Sequence, residues 1–235
     1  MSEKKIFHKL LRLPKVLRGK DFYFPIQIKK ECLEFGNEGA NWTFIPEYLN
    51  KNSIIYSFGV GEDISFDLEL IKKFDLQIHA FDPTPKSIKW VKSQNVPANF
   101  ILHQYGLSDK NGEVTFFPPK NPNHVSATLL DRPETKENSY KVEVKNLVKI
   151  LKELNHNHID LLKIDIEGAE YNVIDDIIES EIKINQLLIE FHHRFKNVGM
   201  QQTKDAVIKL NKAGYLIFNI SKTGEEYSFI KKDKV

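Results

Sequence analysis

Residues Ser53 to Pro85 read SIIYSFGVGEDISFDLELIKKFDLQIHAFDPTP, and this stretch decides the fold. An apolar run, Ile54, Ile55 and Tyr56, ends in a glycine turn, Phe58-Gly59-Val60-Gly61. Phe66, Leu70, Ile71 and Phe74 then recur at helical spacing, and a second apolar run, Ile78 to Phe81, stops at Asp82. Strand, glycine turn, helix, strand and acid follow in the order of a nucleoside-binding βαβ unit. Glycine lets the backbone pass close beneath a ligand. The helix start offers unpaired N–H groups. An acid about 20 residues beyond the turn, at the second strand tip, can take both hydroxyls of a ribose.

The turn departs from G-x-G-x-x-G, because Glu62, Asp63 and Ile64 follow Gly61 without a third glycine. Two carboxylates there repel a diphosphate. The turn therefore suits a nucleoside that carries an amine or sulfonium. S-adenosylmethionine (SAM) meets that demand, and NAD meets it poorly. An ordinary βα turn that holds two glycines has the same local pattern, so the rest of the chain must support the assignment.

The chain has 235 residues, 41% of them hydrophobic, which fits one domain with a substantial core. Its net charge is +2 and the lysines are dispersed, so nothing points to nucleic acid as partner. The single cysteine, Cys32, excludes an internal disulfide and fits a reducing, cytoplasmic setting. No apolar run approaches the ~20 residues that span a bilayer. The basic start (Lys4, Lys5, Lys9, Arg12, Lys15, Arg18) is too interrupted for a signal peptide. It reads as a segment that packs on its own domain or on another subunit of a homo-oligomer, without stable membrane insertion.

Residues 1–50 read as an N-terminal extension of helices and loops, and 51–235 as the main domain. From Ser53 onward strand and helix patterns alternate, the mark of an α/β fold with a mainly parallel sheet. Strands are expected at Ile54–Phe58, Ile78–Phe81, Phe100–Gln104, Ile159–Ile164 and Gln186–Phe191, with an alternating strand after Asn111-Gly112. Helices are expected near Ser65–Phe74, Lys86–Lys92, Val144–Leu154, Ala169–Ile178 and Thr203–Ala213. Tyr215–Ile220 and Glu226–Ile230 read as a closing hairpin across Thr223-Gly224. Residues 118–140 form the longest irregular region and suit a lid or binding loop.

A second cluster lies at Ile159 to Glu170, IDLLKIDIEGAE. An apolar strand delivers Lys163, Asp165, Glu167 and Glu170 to the sheet edge where a doubly wound fold binds ligand. The next strand ends in Glu190, His192 and His193. Alternation puts Glu190 and His192 on one face and His193 on the other. A histidine here can serve as general base. The alternative is that Asp165, Glu190 and His192 form a ligand set for a divalent cation.

With these residues in view, the chain resembles the FkbM family of SAM-dependent methyltransferases. The resemblance runs from about Gly36 to the C-terminus. It rests on YSFGVGEDISFD (Tyr56–Asp67), HAFDPTP (His79–Pro85), YGLSDKNGEVTFF (Tyr105–Phe117), DLLKIDIEGAEYNVI (Asp160–Ile174), LLIEFHHRF (Leu187–Phe195) and GYLIFNIS (Gly214–Ser221). The K-x-D-x-E-G-x-E run at Lys163–Glu170 is the most specific of these. The resemblance implies a class I methyltransferase (Rossmann-like) fold. In that fold a seven-stranded, mostly parallel sheet has helices on both faces and an antiparallel last strand. It implies that Gly59 and Gly61 pass under the methionine part of SAM and that Asp82 takes the ribose. Gly106 and Leu107 would flank the adenine, and Trp42, in the turn-rich patch before the first strand, would also touch the cofactor. Many class I methyltransferases have an acid where this chain has Ser57 and a third glycine where it has Asp63, and many FkbM relatives have an Asn where it has Val60 or Glu62. Asp63 or Asp67 would then take over the methionine amine. Relatives methylate hydroxyls on sugars, glycans and macrolides.

The implied chemistry is O-methylation of a sugar, in bacterial surface polysaccharide synthesis, with a nucleotide-activated sugar as one candidate acceptor. Asp165 or His192 would be the base, and Glu190 would orient the histidine or the substrate. A divalent metal held by these groups would instead lower the hydroxyl pKa. The segment Asn123–Thr128 (NHVSAT) would border the acceptor pocket. Rival readings are a non-catalytic methyltransferase-like scaffold, an NAD-dependent oxidoreductase and an RNA methyltransferase.

Overall fold

The computed structural model describes residues 12–19, 21–118, 133–195 and 198–234. A short helix, α1 (12–17), opens the described chain. A two-stranded antiparallel sheet follows, β1 (Leu33–Phe35) with β2 (Trp42–Phe44). Strands within 1–50 were not expected, since LEF and WTF are too short to show alternation. They pack on the main domain. Trp42, Phe44, Ile45 and Leu49 are buried in one of its two cores. Buried Gln186 both accepts from Ile45 N (2.8 Å) and donates to Ile45 O (3.0 Å).

Among the described residues, the main sheet has seven strands. They are β3 (Ile55–Phe58), β4 (Ile78–Phe81), β5 (Phe100–His103), β9 (Ile159–Ile164), β10 (Ile184–Glu190), β11 (Tyr215–Ile220) and β12 (Glu226–Lys231). Their order across the sheet is β11-β12-β10-β9-β3-β4-β5. Only β12, the last in the chain, runs antiparallel to its neighbours β10 and β11. This is the class I methyltransferase order, as expected.

Alternation along each strand feeds two cores. Ile55, Ile78, Leu161 and Leu188 face α2 (Ser65–Phe74) and α3 (Pro85–Ser93). Tyr56, Leu162 and Leu187 face α4 (Leu147–Glu153), α5 (Glu170–Glu179) and α6 (Met200–Lys212).

A small sheet, in the order β6-β8-β7, is inserted after β5. It comprises β6 (Gly106–Leu107), β7 (Gly112–Phe116) and β8 (Tyr140–Lys145). The helix expected from Val144 therefore starts later. Residues 140–145, YKVEVK, alternate with period two and pair with β7, and Asn146 caps α4 by accepting from Lys149 N at 3.0 Å. Asn123–Thr128 lies outside the described residues.

Candidate active site

Hydrogen-bonded register brings the strand tips level. Phe58 pairs with Phe81 and with Ile164, and Ile164 pairs with Ile189. The next residues along, Gly59, Asp82, Asp165 and Glu190, therefore emerge at one edge of the sheet, at the carboxyl ends of parallel strands. They line a cavity of about 280 Å3. That lies near the lower end of small-molecule pockets, roughly 300–1,000 Å3.

The glycine turn is held by its neighbours. Gly59 has φ +81°. A Cβ there would stand 1.8 Å from the Asp165 carbonyl oxygen, so only glycine lets β3 leave the sheet beside β9. Asp82 Oδ2 accepts from Val60 N (3.1 Å) and Gly61 N (3.0 Å), and Oδ1 accepts from Thr84 N (2.7 Å). A carboxylate offers about four lone-pair sites, so about one remains for a ligand hydroxyl rather than two. From below, buried Lys163 donates to Gly59 O at 2.7 Å, and its ammonium lies 5.1 Å from the Trp42 ring centre.

The acids near the turn divide. Asp63 caps the start of α2, where Oδ1 accepts from Ser65 N at 2.8 Å and Oδ2 accepts from Asn37 Nδ2 at 2.9 Å. Burial opposes its charge, but these hydrogen bonds outweigh burial and hold the carboxyl below its ordinary range. Asp67, one helical turn on, lines the cavity and is buried, and its Oδ1 has no hydrogen-bond partner. Burial raises its pKa, with Lys163 opposing.

At the far side of the cavity stand Asp165, Glu167, Glu190 and Glu226. Glu190 and Glu226 are direct partners across β10 and β12. Burial first, then the neighbouring Asp165, raises the Glu190 carboxyl. Glu226 had no local sequence signal. It joins the site because the antiparallel β12 begins at the edge where the parallel strands end.

The Lys163–Glu170 motif now has a physical reading. Lys163 holds the glycine turn and Asp165 enters the cavity. Glu167 (φ +54°) and Gly168 (φ +100°) make a left-handed corner into α5. Glu170, fully buried, accepts from Gly168 N (2.9 Å) and pairs with His192 Nδ1 (2.8 Å). His192 thus sits behind Asp165 rather than on the cavity wall. Burial alone would lower its pKa, but Glu170, Asp165 and Glu167 prevail and push it up to about 10. His193 points away, packing near Phe22 and Asp21, and burial pushes it down to about 4.

Of the expected cofactor contacts, Gly59, Gly61, Asp63, Asp82, Gly106, Leu107 and Trp42 all border the one cavity. The family model for the methyltransferase FkbM domain matches residues 36–217 of this sequence. The chain belongs to that family. A human relative, probable methyltransferase-like protein 24 of Homo sapiens, is 26% identical over 196 residues, covering 78% of this chain and 47% of that protein. Its counterpart in Rattus norvegicus is 25% identical over 195 residues, with the same shares covered. The chain spans about half the length of the curated relatives it matches. Among solved structures, methyltransferase FkbM from Methylobacillus flagellatus KT aligns with TM-score 0.48 and 14% identity, over 77% of this chain and 44% of that one. Aeropyrum pernix fibrillarin, solved with natively bound S-adenosyl-L-methionine, aligns with TM-score 0.42 and 8% identity, over 87% and 84%. Among the described residues of this FkbM-domain chain, no helix is long and apolar enough to cross a membrane.

Proposed function

We propose that this FkbM-domain chain is a SAM-dependent O-methyltransferase that acts on a sugar hydroxyl. The observation that carries the reading is the charge of the cavity. Asp67 offers an unpartnered buried oxygen beside the glycine turn, and Asp165, Glu190 and Glu226 line the other end. The acids beside the glycine turn attract a ligand with an amine and a sulfonium, and Glu62 and Asp63 there repel the diphosphate of a dinucleotide, which disfavours the oxidoreductase reading.

When bound, SAM supplies an electrophilic methyl with a good leaving group. The chain must hold the reactants in line and remove one proton. Asp67 receives the methionine amine. Gly59 and Gly61 let the turn pass beneath the ligand. Asp82 receives a ribose hydroxyl with its remaining lone pair, and Leu107 and Gly106 border the adenine. Asp165 faces the cavity and accepts the proton of the acceptor hydroxyl, while Glu190 orients that hydroxyl. His192, its Nδ1 paired with Glu170, supports Asp165 from behind. The sugar acceptor, free or nucleotide-activated and bound for a bacterial surface polysaccharide, follows from the family resemblance, and the low net charge of +2 fits it better than a nucleic acid.

The test is methyl transfer from isotopically labelled SAM to a panel of sugars and nucleotide sugars, followed by mass spectrometry. The expected result is a methyl ether on one hydroxyl, abolished in Asp165→Asn. Folded protein that binds SAM yet methylates no member of a broad hydroxylated panel would count against O-transfer and for a non-catalytic scaffold.

A further inference from the structure

We infer that Asp165, Glu190 and His192 form a binding site for one divalent cation of the Mn2+ or Mg2+ kind, at the acidic end of the cavity. One oxygen of Asp165, one of Glu190 and one nitrogen of His192 lie within 4.8 Å of one another. His192 Nε2 stands 3.7 Å from Asp165 Oδ1, 3.5 Å from Glu167 Oε2 and 3.9 Å from Glu190 Oε1. These separations are too long for ordinary hydrogen bonds, which run ~2.7–3.2 Å for N–H···O. They are close to the edge of a coordination shell, since bonds of ~2.0–2.2 Å put neighbouring ligand atoms roughly 3.0–3.5 Å apart. Shifts of up to about one ångström would bring His192 Nε2 to those separations from Asp165 and Glu190.

A second observation concerns the histidine. His192 keeps only 9% of its side-chain exposure, and its Nε2 is aimed into the cluster, facing Asp165, Glu167 and Glu190 at ion-pair distance. Its Nδ1 is held by Glu170, whose side chain is fully buried. That carboxylate–imidazole pair fixes which ring nitrogen is free and turns it toward the cluster, as the partners of metal-bound histidines do. Asp165 Oδ1 is buried without a hydrogen-bond partner. An unpaired buried polar atom is costly, and a cation held between Asp165 and His192 would satisfy it.

Two carboxylates neutralise a doubly charged ion, and the ion takes the place of the proton that His192 Nε2 gives up on binding it. Oxygen-rich sets favour Mn2+ and Mg2+ over softer metals. Because Asp165 and Glu190 line the cavity, the open side of the shell faces it, where a hydroxyl or two neighbouring hydroxyls of an acceptor would complete coordination. A hydroxyl bound to such an ion is more acidic. That last role rests on the methyl-transfer reading, whereas the ion site does not.

The test is Mn2+ titration of the whole chain, followed by the paramagnetic signal of free Mn2+, with and without S-adenosylhomocysteine. One Mn2+ per chain is expected, with affinity at least about tenfold weaker in both Asp165→Asn and Glu190→Gln. Glu190 lies at a strand end, so its variant keeps the fold, as thermal melting would verify. No saturable binding to folded parent protein up to millimolar Mn2+ overturns the site. Binding undiminished in both variants overturns it equally, because the ion then lies elsewhere. Loss of S-adenosylhomocysteine binding with Mn2+ binding intact would sink the methyl-transfer reading and leave the ion site standing.

Discussion

Gly59 and Asp165 touch through their backbones: a Cβ on the glycine would overlap the Asp165 carbonyl oxygen at 1.8 Å. The turn that lies under the proposed cofactor and the strand tip that carries the proposed base are therefore one packed unit. Gly59→Ala combines this overlap with a positive φ of +81°. It should cost about 2–4 kcal/mol, which lowers the melting temperature by roughly 4–16 °C in a domain of this size. A melt within a degree of the parent would show that the two tips can separate freely.

Asp67 is a buried carboxylate with an unpartnered oxygen, so it is strained for stability and available for a ligand. In Asp67→Asn the unliganded protein should melt at or above the parent temperature, since a buried carboxyl with an unpartnered oxygen is removed. SAM affinity should fall about ten- to a hundredfold, the worth of a charge-assisted hydrogen bond. Calorimetry and thermal melting on one preparation check both signs. Unchanged affinity would remove Asp67 from the amine contact.

Much of the site was legible because it lies at strand ends next to strong periodic signals. Gly59, Asp82, Asp165 and Glu190 each follow an apolar strand, and parallel pairing levels those ends. Glu226 was illegible, since its position depends on where an antiparallel strand enters the sheet. The Glu170–His192 pair spans helix α5 and strand β10 and exists only once β10 lies beside β9. In β8, the alternation of KVEVK lost to the helical pattern that follows it, although Asn146 marks the true helix start.

Gln186 ties the N-terminal hairpin to the sheet through both polar groups of Ile45. Gln186→Met would leave a buried N–H and a buried C=O unpaired, at about 1–3 kcal/mol each. Because β2 carries Trp42 into the cavity, S-adenosylhomocysteine affinity should fall as well. A urea midpoint equal to the parent's would contradict this tether.

His79 is buried, stacks on His103 and lies 2.9 Å from its Nε2, with Tyr56 and His156 also against it. Burial first, then His103 and His156, pushes its pKa down to about 4. An unfolded imidazole titrates near ~6.5, so between the two values the unfolded chain binds more protons and stability falls as pH drops. The contribution is at most about 3 kcal/mol. Urea midpoints at pH 7 and pH 4.5 should differ less in His79→Gln than in the parent; equal pH dependence would assign the loss to other groups.

The most direct measurement is isothermal titration of the purified chain with S-adenosylhomocysteine, repeated on Asp82→Ala with a melting curve as a folding check. Micromolar binding at one site per chain, lost in a variant that still melts cooperatively, is the expected result. Folded parent protein that binds no S-adenosylhomocysteine, with or without Mn2+, would contradict the assignment of this cavity to SAM.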